Sequence, residues 1–166
     1  MLSNATPHDR PGFALLAGAC PAPRATLAGF AMQRLGSAHS PSILLSGARD
    51  ALLLNAQFLH SDAVHVAQAI QAGGKHLRAI YVSSAEPHAY FGLGVLRAAF
   101  PLARILASGD TVEAIRRQAG ARVAHWGGIL KHNAPRCIVL PQAYDDASLP
   151  LEDRLVALRD LETAFD

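Results

Sequence analysis

From about Thr26 onward, short apolar runs separated by turn residues dominate the chain, and farther on they alternate with segments of helical period. Residues 27–34 and 42–46 have strand length. After Ser46 the polar break Gly47-Ala48-Arg49-Asp50 leads into Ala51-Leu52-Leu53-Leu54-Asn55, the pattern of a hairpin. Ser61 and Asp62 stand as helix N-caps ahead of Ala63, Val66, Ala67 and Ile70, whose i, i+3, i+4, i+7 spacing is that of a buried helix face, and Gly73-Gly74 supplies the stop. Residues 77–82 predict a strand, followed by a polar loop over 83–88 and a helical stretch through Phe100 that Pro101 ends. Residues 103–107 predict another strand, Ser108 or Asp110 caps a helix through about Gln118, residues 136–140 are strand-like, and residues 149–161 support one more strand. A hairpin start followed by strand–helix alternation predicts an α/β fold, a mixed sheet with packed helices.

The 166 residues suffice for one domain, and a domain of this size buries roughly 70% of its unfolded surface. Hydrophobic residues at 51% and charged residues at 17% place the chain among folded rather than disordered sequences. Fifteen basic against thirteen acidic residues give +2, and the basic ones are scattered, so no nucleic-acid partner and no polybasic membrane patch is expected. Cys20 and Cys137 are too few for a disulfide framework or a cysteine-rich metal cluster, and no apolar run reaches the roughly 18 residues of a transmembrane helix. Residues 12–20, apolar and closing on small residues and Cys20, have the shape of a leader. Acidic Asp9 beside Arg10, and the lack of a leucine three positions before Cys20, favour a Pro- and Ala-rich tail over 1–25, preceding one domain over 26–166. A cytoplasmic protein follows from that reading, with an exported form as the alternative.

Three segments carry a resemblance: Leu52-Leu53-Leu54-Asn55-Ala56-Gln57-Phe58, then Ala79 through Gly92 (AIYVSSAEPHAYFG), then Ala103-Arg104-Ile105-Leu106-Ala107. In order and spacing they resemble the N-terminal half of a metallo-β-lactamase-fold hydrolase over roughly residues 27–161. The resemblance implies an αβ/βα half sandwich and a truncated relative of the complete enzyme. The family's metal loop reads Thr/Ser-His-x-His-x-Asp-His, and a zinc hydrolase needs about three protein ligands and one open position to acidify a water. Laid over this chain, the first histidine position is Ser84, the second Glu86, the aspartate His88 and the last histidine Ala89. The closest pattern is a branch reading roughly Ser-His-Gly-Asp-Pro-Asp-Tyr-Tyr-Phe-Gly, with an acidic residue at the second histidine position. Only Glu86 and His88 retain coordinating atoms, and two ligands do not make a hydrolytic site. The family's later ligands lie in a C-terminal half, whereas the last histidine here is His132. The resemblance thus implies a hydrolase-like protein with a degenerate metal site, weakly active or inactive, holding no cofactor, or zinc if any. The alternative is an active hydrolase that completes a metal site through Glu86 and His88 with a second chain.

Tyr90, which opens the Tyr-Phe-Gly-Leu run, and Trp126, in the run from His125 to His132, are candidates for lining a pocket for a small-molecule substrate. For Trp126 the alternative is plain packing on the sheet with its histidines at the rim. His60 and His65, five apart, do not share a helix face and are expected at the surface. Gly92 and Gly94 lack a phosphate-loop lysine and are read as helix-packing glycines. Ser83, Ser84, Glu86 and His88 share one loop without a Gly-x-Ser-x-Gly elbow, and Cys137 is expected as a buried, inert thiol. Strands at 52–54 and 80–82, apolar on successive positions, call for burial of both sheet faces. With the family's second half missing, one face is expected to be uncovered and a homodimer to cover it.

Overall fold

The computed structural model describes residues 25–27 and 30–158; the leader-like segment 12–20, with Cys20, and most of the tail lie outside them. A seven-stranded mixed sheet runs in chain order, β1 (Ala25–Leu27), β2 (Phe30–Leu35), β3 (Ser42–Ser46), β4 (Asp50–Leu54), β5 (His76–Tyr81), β6 (Arg104–Ala107) and β7 (Gln142–Ala143). The first four strands pair antiparallel and the last four parallel. Parallel neighbours need crossovers, supplied by α1 (His60–Ala72), then α2 (Pro87–Tyr90) with α3 (Leu93–Ala99), then α4 (Gly109–Leu130). A separate antiparallel hairpin, β8 (Ser148–Leu151) and β9 (Arg154–Ala157), follows.

Both faces of the sheet carry packed elements. Leu44, Leu53, Ile80 and Val82 meet Val66 and Ile70 of α1, Leu93 and Leu96 of α3, and Val112 and Ile115 of α4 in the larger core. Because side chains alternate along a strand, Leu52, Ala79 and Leu106 point the other way and, with Phe30, pack beneath Leu149 and Leu151 of the hairpin. The expectation of an uncovered face is thereby corrected: the β8–β9 hairpin lies on it. The segment 149–161, read as one strand, turns at Glu152 (φ 58°) and Asp153 to make two. Residues 27–34 likewise divide, between β1 and β2.

Two further boundaries move. Residues 136–140 form no strand, since Pro135 and Pro141 bracket the run and only Val139 is buried within it; the sheet resumes at β7, immediately after Pro141. Cys137 is exposed rather than buried, its sulfur lying 2.7 Å from where a Cβ on Gly94 would sit. Helix α4 runs past Gln118 to Leu130 because its buried stripe, Val112, Ile115 and Ala119, continues into partly buried Val123, Trp126 and Leu130. That packing outweighs the cost of about 1 kcal/mol for Gly120. Ser108 caps it as read, accepting from the Thr111 amide.

Glu152 fastens the hairpin to the rest. Its carboxylate accepts hydrogen bonds from the amides of Arg49 (2.6 Å) and Asp50 (3.0 Å) in the β3–β4 turn. Gly47 leaves room for it, since a Cβ there would lie 2.6 Å from the carboxylate. The amide of Arg49, and then that of Asp50, hold its pKa at about 2 instead of 4.5. A depressed carboxylate contributes stability that is complete above pH 4.5 and is lost as pH falls towards 2. Hydrogen exchange at the Arg49 and Asp50 amides should therefore be slow near neutrality and accelerate, relative to the core of α1, across that acid window. Glu152→Gln should remove the pH dependence.

Candidate functional site

At the carboxyl ends of β4 and β5 the chain leaves the sheet through two loops that are tied together. Asn55, at φ 63°, accepts through its Oδ1 from the amide (2.9 Å) and the hydroxyl (3.0 Å) of Ser83. The amide of Ala56 donates to the Ala89 carbonyl at 2.9 Å, and that of Gly92 to the Gln57 carbonyl at 3.0 Å. Gly92 permits this approach, because a Cβ there would collide with the Ala56 carbonyl, as expected of a packing glycine. The start of α2, carrying Glu86, Pro87 and His88, is thus held against the segment that enters α1.

That segment contains Gln57, completely buried and at φ 80°. Its side-chain nitrogen donates to the carbonyls of Leu35 (3.3 Å) and Ser40 (3.1 Å) and to Ser42 Oγ (2.9 Å), while its oxygen accepts from the Ser37 amide (2.9 Å). The loop between β2 and β3 is folded around this one carboxamide. Next comes Leu59, which sits at the N-cap of α1 with no side-chain cap; Ser61 and Asp62 fall inside the first turn instead of capping it. Asn133, beyond the end of α4, accepts from the Ser61 amide at 3.2 Å and does part of the capping.

These pieces border an open-mouthed cavity of about 320 Å3. One wall is Ser37, His39 and Ser40 from the β2–β3 loop; another is Phe58, Leu59 and Asp62 at the start of α1; Glu86, Pro87 and His88 face Arg122 and Trp126 of α4 across the remainder. Three of the four site residues read from the sequence, Glu86, His88 and Trp126, therefore come together. The fourth, Tyr90, does not line the cavity: it is 1% exposed, packs edge-on against Phe91, and its hydroxyl has no hydrogen-bond partner among the described residues. Burial raises its pKa, with Arg122 opposing and Glu86 reinforcing the shift.

Arg122 was not legible in advance, because the helix was read as ending near Gln118. On the longer helix it continues the stripe Ile115, Ala119, Arg122, Trp126 at steps of four, three and four, and that spacing is the signal that marks it. Its guanidinium reaches Glu86 Oε1 at 3.0 Å. Trp126 meets Phe58 edge-to-face at 5.0 Å between centroids, and Phe58 stacks on Phe91 at 5.8 Å. Asp62 is half-buried; burial raises its pKa, and His65, one turn on, partly lowers it. His65 is exposed, as expected, and His60 is half-buried.

Neither chemistry suggested for the loop is assembled. Ser83 gives its hydroxyl to Asn55 and Ser84 Oγ accepts from the Glu86 amide at 3.4 Å, so neither serine is hydrogen-bonded to His88. For a metal, Glu86 is committed to Arg122, Ala89 is buried and offers no donor, and Ser84 faces its own backbone. Among the described residues no group of three or more His, Cys, Asp or Glu is placed to hold an ion. The donors at the loop do not fit a zinc centre, which takes three or four protein ligands. Among those residues, too, no helix is long and apolar enough to cross a membrane.

No family model and no curated protein matches the chain. Solved structures do. A HARLDQ motif mutant of a metallo-β-lactamase from Cronobacter sakazakii superposes with a TM-score of 0.55 at 25% identity, over 76% of this chain and 49% of that one. MEM-A1, a subclass B3 metallo-β-lactamase from a soil metagenome library, gives 0.56 at 18% identity over 81% and 50%. The enzyme TMB-1 gives 0.51 at 13% over 77% and 53%. This chain spans about half the length of the structures it matches.

Removing the Gln57 side chain strips partners from the Ser37 amide and from the Leu35 and Ser40 carbonyls at once. Gln57→Ala should cost about 2–4 kcal/mol, from unpaired buried groups and the void left behind, measured by urea denaturation. Exchange should quicken first at the Ser37 amide.

Proposed function

Given the metallo-β-lactamase fold of this chain, we propose that it is a hydrolase-like protein with a degraded metal site, weakly active or inactive, which uses the cavity beside the former metal loop to bind a small molecule. The observation that carries this reading is the Arg122–Glu86 ion pair at 3.0 Å. One of the two coordinating side chains left in the loop is thereby neutralised by a cation, and a guanidinium beside the site repels a metal ion as well. His88 then stands alone, and a single imidazole does not retain zinc against water and buffer.

Lining and size support a binding role. A cavity of about 320 Å3 lies at the lower end of the range of roughly 300–1,000 Å3 typical of ligand sites, and an aromatic pair with a few polar groups is the usual lining. Trp126 supplies apolar area, while Arg122, His39 and His88 supply polar contacts. The reading that completes a metal centre from a second chain requires Glu86 to leave Arg122 and turn to a metal.

Elemental analysis of the purified protein should find well under one zinc, iron or manganese per chain. One metal per chain that survives dialysis against a chelator would overturn the reading in favour of the completed-centre alternative. Any residual hydrolysis of β-lactam, thioester, lactone or phosphoester substrates should disappear in Glu86→Gln and His88→Ala.

A homodimer belongs to the same proposal. The hairpin does not finish covering its face of the sheet: Met32, Ile43 and Leu54 remain half-buried there, and Leu155 on the hairpin is 69% exposed. Light scattering at micromolar concentration should give twice the chain mass, and a stable monomer would refute the dimer.

A further inference from the structure

We infer that the cavity takes a small organic cation, an ammonium whose charged head is held by the Asp62 carboxylate and whose apolar body lies against the rings of Phe58 and Trp126. This inference rests on the reading of the cavity as a binding site and adds the charge and shape of what enters it.

The balance of charge at the cavity wall leads there. Arg122 and Glu86 neutralise one another at 3.0 Å. Asp62 is the remaining carboxylate on the wall, and it has neither a hydrogen bond nor an ion pair among the described residues. His65, on the exposed side of α1, partly offsets the effect of burial on Asp62. Burial disfavours its ionised form, and a bound cation would relieve that cost.

The walls beside Asp62 suit a cation with an apolar body. Phe58 and Trp126, packed edge to face at 88°, both line the cavity, and Leu59 adds an aliphatic surface. Aromatic faces attract ammonium groups through the ring quadrupole, most strongly where water is excluded. An anion on the free N–H groups of Arg122 would face the carboxylates of both Glu86 and Asp62. Uncharged ligands would leave the carboxylate desolvated with nothing gained.

Trp126 is the chain's one tryptophan, so its fluorescence reports directly on the cavity. Three probes of one shape separate the possibilities: benzylammonium, benzyl alcohol and benzoate, titrated at neutral pH against the full chain. Benzylammonium should perturb Trp126 saturably, with affinity about tenfold or more above that of benzyl alcohol, the effect expected of a charge-assisted contact. Benzoate should not bind. Asp62→Asn should bring benzylammonium down to the level of the alcohol and leave the alcohol unchanged, with the circular dichroism spectrum confirming the fold. Should that variant not fold, Phe58→Leu keeps an apolar side chain, removes the ring, and should weaken benzylammonium severalfold while sparing the alcohol. Equal affinity for benzylammonium and benzyl alcohol, or unchanged binding in both variants, overturns the inference. Binding of benzoate that is lost in Arg122→Gln also overturns it, while leaving the cavity a binding site. No response to any of the three probes defeats both the inference and the binding role.

Discussion

The carboxamide of Gln57 is sealed from solvent, and an amide in that position costs about 1–3 kcal/mol for each group left without a partner. Its four hydrogen bonds draw in the Leu35 and Ser40 carbonyls, the Ser42 hydroxyl and the Ser37 amide, which dictates the path of the chain from β2 to β3. Gly36, at φ 78°, sits so close to this side chain that any Cβ would strike it. The backbone carbonyl of Gln57 accepts from the Gly92 amide and so ties down the segment that follows α2. Two walls of the cavity are therefore set by one residue that does not itself face the ligand space.

Opposite those walls, α4 brings Arg122 to the loop where the fold elsewhere collects metal ligands. An ion pair and a dinuclear metal centre make incompatible demands on the same carboxylate. A metal needs it anionic, unpaired and accompanied by imidazoles; here a guanidinium lies 3.0 Å from one of its oxygens. The backbone scaffold around the loop is maintained by Asn55–Ser83 and Gly92–Gln57, neither of which involves Glu86 or His88. Chemistry can change at such a place while the fold stays put.

Much of the scaffold could be read from the sequence because its signals are local. Ala63, Val66, Ala67 and Ile70 are the buried face of α1 as their spacing predicts, and the β3–β4 hairpin turns where the polar break falls. Readings failed where a distant contact decides. Ser61 and Asp62 look like caps, yet Asn133, 72 residues away, accepts from the Ser61 amide. The pattern predicts a helix through about Gln118, yet packing against the core carries α4 on to Leu130. At the site, Glu86, His88 and Trp126 were legible from residue type and motif position. Arg122 and Asp62 were not, since their significance lies in who else borders the cavity.

Every strand of the main sheet pairs with the strand immediately before it in the chain, so each new strand finds its neighbour already in place. The β8–β9 hairpin breaks this economy, because Glu152 must meet amides 102 and 103 residues earlier in the chain. Closing so long a loop is entropically slow and repays only once Leu149 and Leu151 are seated, which makes the hairpin the natural last arrival and first departure. Its departure uncovers Phe30, Leu52, Ala79 and Leu106, an apolar strip on a sheet. A molecule opened there presents that strip to its neighbours while the rest of the sheet is still folded, the kind of surface through which partly opened chains self-associate.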